Sequence, residues 1–289
     1  MHLTERDHEI IRLVHRHRFL RSSHITTLIP GSPQQIVRRL QLLYHHGYLD
    51  RPRQQIEYYH RGGSAKMVYA LGNKGGATLK PELSTVVQSL PKGEDHSIGR
   101  VFLEHALLVS DVMVAIELAC RTRNIRFLTE DEIRREHGST AGSRSFRWKV
   151  NVSGEITLGA IPDRVFALER EDEECRRHRC VFFLEADRGT RPVMRQNLAQ
   201  TSFYRKLLAY EASWAQGIPR SQFGFNRFRV LTVTTSAARV ASLVDACSPL
   251  ERGHRLFLFS DWNSVENAED LFSQIWQTGR PGETASMLP

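Results

Sequence analysis

The sequence has little of what marks a secreted or membrane protein. Four cysteines in 289 residues are too few for a disulfide framework and are typical of a cytosolic protein. No apolar run approaches the roughly 20 residues that a membrane-spanning helix needs. The segment 1–7 has no apolar region of the kind found in signal peptides. We therefore expect a cytoplasmic protein that does not contact a membrane.

Several common site signatures are also missing. No Gly-Lys-Ser/Thr follows the glycine pairs Gly62-Gly63 and Gly75-Gly76, which excludes a nucleotide-binding phosphate loop. Cys175, His178 and Cys180 have no second ligand pair nearby, so the spacing does not indicate a zinc site. With 40% hydrophobic and 25% charged residues, the composition is that of a globular protein and excludes a wholly disordered chain.

The net charge of +8 is concentrated at one end of the chain. Of the 40 Lys and Arg and the 32 Asp and Glu, residues 1–80 hold 13 and 5, which leaves 27 of each sign for the rest. This asymmetry predicts an N-terminal module that contacts a polyanion and a neutral body with another role. The alternative is a basic surface that only aids solubility.

The pattern in residues 1–80 predicts a winged helix-turn-helix domain. Thr4 and Asp7 form a helix cap, a short helix follows over 23–29, and Ser32 with Pro33 starts a third helix. The predicted buried face of the third helix is Ile36, Val37, Leu40, Leu43 and Tyr44. A β-hairpin, with strands at 48–49 and 67–71, completes the module.

This domain would place its third helix in the major groove of DNA. Gln side chains pair with adenine and Arg side chains with guanine, and basic residues at the wing tip reach phosphates. The predicted DNA-binding residues are Ser32, Gln34, Gln35, Arg38, Arg39, Arg61 and Lys66. Winged helices also serve as protein-binding modules, but a face rich in Gln and Arg favours double-stranded DNA.

The remaining residues predict a linker over 81–97, an α/β domain over 98–265, and a C-terminal helix and disordered tail over 266–289. The predicted order in the α/β domain is helix, three strands, helix, strand, helix and strand, which is typical of an α/β sandwich. The predicted helices cover 96–121, 194–212 and 237–247, and the strands 156–160, 165–168, 180–184, 229–234 and 256–259.

Three acidic residues follow or flank the predicted strands of this domain. Glu185 and Asp187 share a face because they are two residues apart on a strand, and Asp163 joins them if the two strands pair. Three carboxylates in one place favour Mg²⁺ or Mn²⁺, which could activate water for phosphodiester hydrolysis. The alternative is that these acids cap turns or pair with arginines such as Arg188.

The spacing of these residues resembles the PD-(D/E)XK nuclease superfamily. Pro162-Asp163 matches its first motif, and Glu185-Ala186-Asp187 stands where Glu-x-Lys is expected, with Asp187 at the lysine position. Some members carry the lysine on the next helix, where Lys206 stands. The resemblance implies a restriction-endonuclease-like α/β sandwich with Asp163, Glu185 and Asp187 as metal ligands. These three residues and Lys206 would then be catalytic.

A second resemblance covers most of the chain. The opening Leu-Thr-Glu-Arg-Asp, the winged helix, Pro162-Asp163 and the run from Phe183 to Thr190 are similar to the replication-relaxation family. That family occurs on bacterial plasmids and other mobile elements. The resemblance implies a role in replication, mobilisation or processing of their DNA.

Three functions remain open from the sequence. The first is a double-stranded DNA-binding protein, expected to be a homodimer, whose nuclease-like domain organises assembly with other proteins of the element. The second is an active, Mg²⁺- or Mn²⁺-dependent DNA nickase or endonuclease. The third is a winged-helix transcriptional repressor.

Overall fold

The computed structural model describes residues 1–55, 66–79, 99–136, 146–154 and 156–288. The chain divides into two compact units, unit 1 (Met1–Val114) and unit 2 (Ala115–Pro289). The boundary between them falls inside one long helix. Within the described residues, no helix combines the length and the apolar content needed to cross a bilayer.

Unit 1 combines helices with a small antiparallel sheet. Its elements are α1 (Glu5–His17), β1 (Phe19–Arg21), α2 (Ser22–Leu28), α3 (Pro33–His45), β2 (Leu49–Asp50), β3 (Val68–Leu71), α4 (Asn73–Leu79) and the first part of α5 (Arg100–Arg123). The three strands are ordered β1-β3-β2, and both pairings are antiparallel. The predicted three helices and hairpin strands are therefore present, while β1 was not predicted.

The start of α1 shows how local sequence sets this arrangement. The backbone N–H of Thr4 donates to the Asp7 carboxylate at 2.6 Å, and the Thr4 hydroxyl donates to it at 2.7 Å. These bonds satisfy a donor that the helix itself leaves unpaired. In α3, Ile36, Leu40 and Leu43 are buried as predicted. The prediction is wrong for Val37, which is 36% exposed.

The first half of α5 packs on the sheet of unit 1. Leu103 and Leu107 join Phe19, Val68 and Ala70 in one apolar cluster. This packing covers one face of the small sheet, which would otherwise leave apolar side chains in water. Val101 at the start of α5 is 67% exposed and takes no part in this packing.

Unit 2 is built on a seven-stranded mixed sheet ordered β12-β11-β10-β9-β8-β7-β4. Its strands are β4 (Arg126–Thr129), β7 (Arg164–Glu171), β8 (Arg177–Asp187), β9 (Phe228–Thr234), β10 (Phe257–Asp261), β11 (Trp276–Thr278) and β12 (Thr284–Ala285). The helices after α5 are α6 (Glu130–Glu136), α7 (Tyr204–Ala215), α8 (Ile218–Phe223), α9 (Ala237–Asp245) and α10 (Trp262–Glu266). Strand β9 runs parallel to β8 and β10, and the other pairs are antiparallel.

A separate hairpin, β5 (Trp148–Ser153) and β6 (Ile156–Ala160), lies against α7. Apolar side chains of this hairpin, of α7, of α9 and of alternate positions on the central strands form one core. Phe183 of β8 stacks on Tyr210 of α7, with ring centroids 5.8 Å apart. The face of β8 that carries Phe183 therefore points at α7, and Glu185 and Asp187 share that face.

Two predicted segments differ from the structure. The helix expected over 194–212 begins only at Tyr204, because the preceding residues form an irregular loop. The C-terminal helix and disordered tail expected over 266–289 are wrong. Strands β11 and β12 extend the sheet there, and Trp276 and Met287 are fully buried.

Candidate functional site

The exposed face of α3 carries most of the residues predicted to contact DNA. Gln34, Gln35 and Arg38 are exposed, and Ser32 before the helix is half-buried. Gln41, Leu42 and His45 extend this face toward the C-terminal end of the helix. The surface thus combines amide donors and acceptors, a guanidinium group and apolar contacts.

Arg39 does not belong to this exposed face, which corrects the sequence prediction. Its Nε and Nη2 atoms each lie 2.5 Å from a carboxylate oxygen of Asp7, whose side chain is fully buried. Burial alone would raise the pKa of the Asp7 carboxyl, but the hydrogen bonds from Arg39 and Thr4 outweigh it and leave that pKa lowered. Arg39 therefore ties α3 to the start of α1.

The two basic residues predicted at the wing tip are Arg61 and Lys66. Arg61 lies outside the described residues, and Lys66 is exposed just before β3. The sequence did not indicate Arg51, whose guanidinium carbon lies 4.3 Å from the ring centroid of Tyr44 and 5.1 Å from that of Tyr69. These contacts join the end of α3 to the small sheet and help to fix the orientation of α3.

In unit 2, Glu185 lies at the centre of a buried polar group. Its carboxylate is 1% exposed, and Oε1 accepts a hydrogen bond from the Tyr210 hydroxyl at 2.6 Å. Oε2 accepts a hydrogen bond from Nζ of Lys206. Burial raises the pKa of the Glu185 carboxyl to about 7, and the nearby charge of Asp163 adds to that rise.

Asp163 and Lys206 complete this group. The Asp163 carboxylate accepts the backbone N–H of Ala186 at 2.8 Å, which holds it beside the end of β8. Burial alone would lower the pKa of Lys206, but the negative charges of Glu185 and Asp163 outweigh burial and leave that pKa raised. We call Asp163, Glu185, Lys206 and Tyr210 the acidic site.

Asp187 has different partners from the rest of the predicted acidic group. Its Oδ2 atom lies 2.6 Å from Nε of Arg239 and accepts the Thr234 hydroxyl at 3.2 Å. Its Oδ1 atom accepts the backbone N–H of Gly189 at 3.2 Å and Nη2 of Arg239 at 3.3 Å. Both oxygens are thus used by groups of β9, α9 and the loop after β8.

Two of the three carboxylates expected to bind a metal ion lie in the acidic site. Across the described ranges, no group of three or more His, Cys, Asp and Glu side chains is arranged to hold a metal ion. Asp163 and Glu185 remain as two neighbouring carboxylates, with oxygen donors of the kind that Mg²⁺ prefers. Any ion here would therefore rely on these two side chains and on water or backbone oxygens.

Sequence reasoning missed Tyr210 and Arg239. Tyr210 could have been found, because it stands four residues after Lys206 and so shares a helix face with it. Arg239 could not have been found in this way. It is 52 residues from Asp187, and only the parallel pairing of β8 with β9 brings them together.

Comparison with known proteins gives one match. A family model described as Replication-relaxation covers residues 11–227, from α1 in unit 1 to the residue before β9 in unit 2. No curated protein and no solved structure matches the chain. The matched segment includes α3, Asp163, Glu185 and Lys206, and it spans well over half of the sequence. The chain therefore belongs to the replication-relaxation family.

Proposed function

We propose that the chain is a double-stranded DNA-binding protein of a bacterial plasmid or mobile element and acts in replication or processing of that DNA. Family membership supports the biological setting. The observation that carries DNA binding is the exposed face of α3, with Gln34, Gln35 and Arg38 on a helix whose other face is buried.

The element order of unit 1 supports the same proposal. Three helices alternate with three antiparallel strands in the order α1-β1-α2-α3-β2-β3, which is the order of a winged helix-turn-helix domain. In such domains the third helix enters the major groove, and the strands that follow it contact the backbone. The +8 charge of residues 1–80 supplies the electrostatic attraction.

The test measures the affinity of the full chain for a duplex DNA of mixed sequence. Fluorescence anisotropy reports the binding at several salt concentrations. A Gln34→Ala/Arg38→Ala variant should bind more weakly than the parent. An Arg12→Ala variant is the control, because Arg12 is an exposed arginine of α1 that pairs with Glu5 at 3.1 Å. Equal affinities of the parent and the Gln34→Ala/Arg38→Ala variant would contradict the proposal.

A metal-dependent DNA nickase or endonuclease is the second candidate. Support comes from the acidic site, where Asp163, Glu185 and Lys206 lie together at the end of β8. Asp163 and Glu185 would hold Mg²⁺ or Mn²⁺, which when bound activates water and stabilises charge on a phosphate. Lys206 would then position the attacking water beside Glu185.

Incubation with supercoiled plasmid and millimolar Mg²⁺ or Mn²⁺ tests this candidate. An active enzyme converts the plasmid to nicked or linear forms, and an Asp163→Asn/Glu185→Gln variant does not. An Asp172→Asn variant is the matched control, because Asp172 is an acid of the β7–β8 turn bound to Arg176 and His178. Equal conversion by the parent and the double variant would assign any cleavage to a contaminant.

A further inference from the structure

The loop between β8 and α7 concentrates positive charge beside the acidic site. Residues 188–203 contain three basic side chains and no acidic one. They are Arg188, Arg191 and Arg195, and Arg205 and Lys206 follow in the first turn of α7. Residues 81–289 have equal numbers of basic and acidic side chains, so the acids that balance this local excess lie in other segments.

One end of this loop is held by the partner of Asp187. Nη2 of Arg239 donates to the backbone carbonyl of Arg191 at 2.7 Å, while Nε of the same side chain binds Asp187 at 2.6 Å. Arg239 is only 15% exposed, so this link lies largely out of water. The Asp187–Arg239 pair therefore connects the end of β8 to the backbone of the loop.

The other end is held by the first residues of α7. The backbone N–H of Phe203 donates to the carbonyl of Pro192 at 3.0 Å, and that of Tyr204 donates to the carbonyl of Val193 at 2.8 Å. Lys206 follows two residues later on the same helix. The segment 191–193 is thus fixed on both sides, next to the helix that carries Lys206.

Two arginines, one in this segment and one two residues after it, lie at the surface. Arg191 and Arg195 are exposed, and Nη1 of Arg195 bonds to Oε1 of Gln200 at 3.0 Å. In the part of the chain that the structure describes, neither arginine forms an ion pair with an Asp or Glu. Guanidinium groups without a carboxylate partner suit the oxygens of a phosphate, and Arg191 also lies on a held backbone.

We propose that Arg191 and Arg195 form a phosphodiester-binding rim at the edge of the acidic site. The rim gives unit 2 its own contact with a DNA backbone, in addition to the contact by α3. Asp187 and Arg239 act as positioning residues for the rim. This inference rests on the proposed function only in assuming that the chain acts on DNA.

The experiment uses the full chain and compares two charge-matched variants. Arg191→Gln/Arg195→Gln removes the rim, and Arg220→Gln/Arg252→Gln removes two exposed arginines elsewhere in unit 2. Each pair is also placed in a Gln34→Ala/Arg38→Ala background, which weakens the α3 contact. Affinity for a duplex and for a single strand of equal length is measured across a range of salt concentrations.

Loss of two phosphate contacts should flatten the salt dependence of duplex binding by about two units in the logarithmic plot, and by slightly less for single strands. The control pair should leave that slope within about half a unit of the parent. Equal effects of the two pairs would overturn the rim, because the loss would then reflect total charge alone.

The background separates this inference from the proposed role of α3. One outcome is that Arg191→Gln/Arg195→Gln loses DNA binding while Gln34→Ala/Arg38→Ala binds like the parent. The rim is then supported and the assignment of α3 fails. If the α3 background abolishes all binding of both DNA forms, the rim fails and the α3 assignment stands. If the parent binds neither form, both fail.

Discussion

The adjacent arginines Arg38 and Arg39 on α3 should have different roles, one in DNA binding and one in stability. Arg38 is exposed on the proposed DNA face, whereas Arg39 is bound to the buried carboxylate of Asp7. Removing one partner of a buried ion pair costs about 3–5 kcal/mol. Arg39→Ala should lower the free energy of unfolding by about 3 kcal/mol, the lower end of that range. Thr4 still donates two hydrogen bonds to Asp7.

Urea denaturation of the full chain at neutral pH measures this loss, and DNA affinity is measured in parallel. Arg38→Ala should unfold like the parent but lose about 1–3 kcal/mol of binding to a preferred site. Because the pKa of Asp7 is lowered from 3.8, its stabilisation is present above that pH and disappears as pH falls through the lowered value. Without Arg39 the buried Asp7 carboxyl has a higher pKa than in the parent, so the stability gap between the parent and Arg39→Ala should narrow as pH falls through the interval between these two pKa values.

A double variant sharpens the same prediction. In Asp7→Asn/Arg39→Ala no charged carboxylate is left buried, so the double variant should be less destabilised than the sum of the single variants. Additive losses would show that Asp7 and Arg39 do not interact. An Arg39→Ala variant that keeps the parent's stability and loses DNA affinity like Arg38→Ala would refute the assignment of Arg39 to the fold.

Three further predictions concern unit 2. Tyr210→Phe leaves one oxygen of the buried Glu185 carboxylate without its hydroxyl donor, so it should cost about 1–3 kcal/mol in urea denaturation, and an unchanged midpoint would contradict this. Arg239→Ala leaves the buried Asp187 carboxylate without its cation and releases the loop after β8. It should lower the free energy of unfolding by about 3 kcal/mol and flatten the salt dependence of DNA binding. Unchanged DNA binding would show that Arg239 is not a positioning residue. A thiol reagent should modify the exposed Cys175 first under native conditions, because burial raises the pKa of the other three thiols to about 11 or 12. Mass spectrometry of the modified protein checks this order. These are Cys120, Cys180 and Cys247.

Much of unit 1 could be predicted from local sequence. The Thr4 cap, the Ser32-Pro33 start and the spacing of Ile36, Leu40 and Leu43 are short-range signals, and each is present in the structure. The role of Arg39 was not accessible in this way. On a helical wheel it lies beside Arg38, and only the packing of α1 on α3 brings the Asp7 carboxylate to it.

In unit 2, the strands with long apolar runs were predictable, while the segments defined by long-range pairing were not. Strand β8 was predicted from Cys180-Val181-Phe182-Phe183-Leu184, because five apolar residues in sequence indicate a buried strand. Strands β11 and β12 are short and gain their stability only from pairing with β10 and with each other. The expected homodimer and the partner proteins of the mobile element stay predictions.

The acidic site shows the same division between local and long-range information. The placement of Glu185 and Lys206 followed from a strand and the helix after it, and the structure brings them together. Asp187 shares the face of Glu185, as period-two geometry requires. Its binding to Arg239 depends on the register of β8 against β9, which no local pattern encodes.

Selection of bound duplexes from a random-sequence DNA library tests the central claim most directly. The parent chain should enrich a defined sequence, because Gln and Arg side chains on α3 discriminate base edges. Arg38→Ala should lose the preference at about one base pair and keep it at the others. Enrichment of no sequence by the parent, or of an identical sequence by the parent and Arg38→Ala, would contradict the claim that α3 reads DNA.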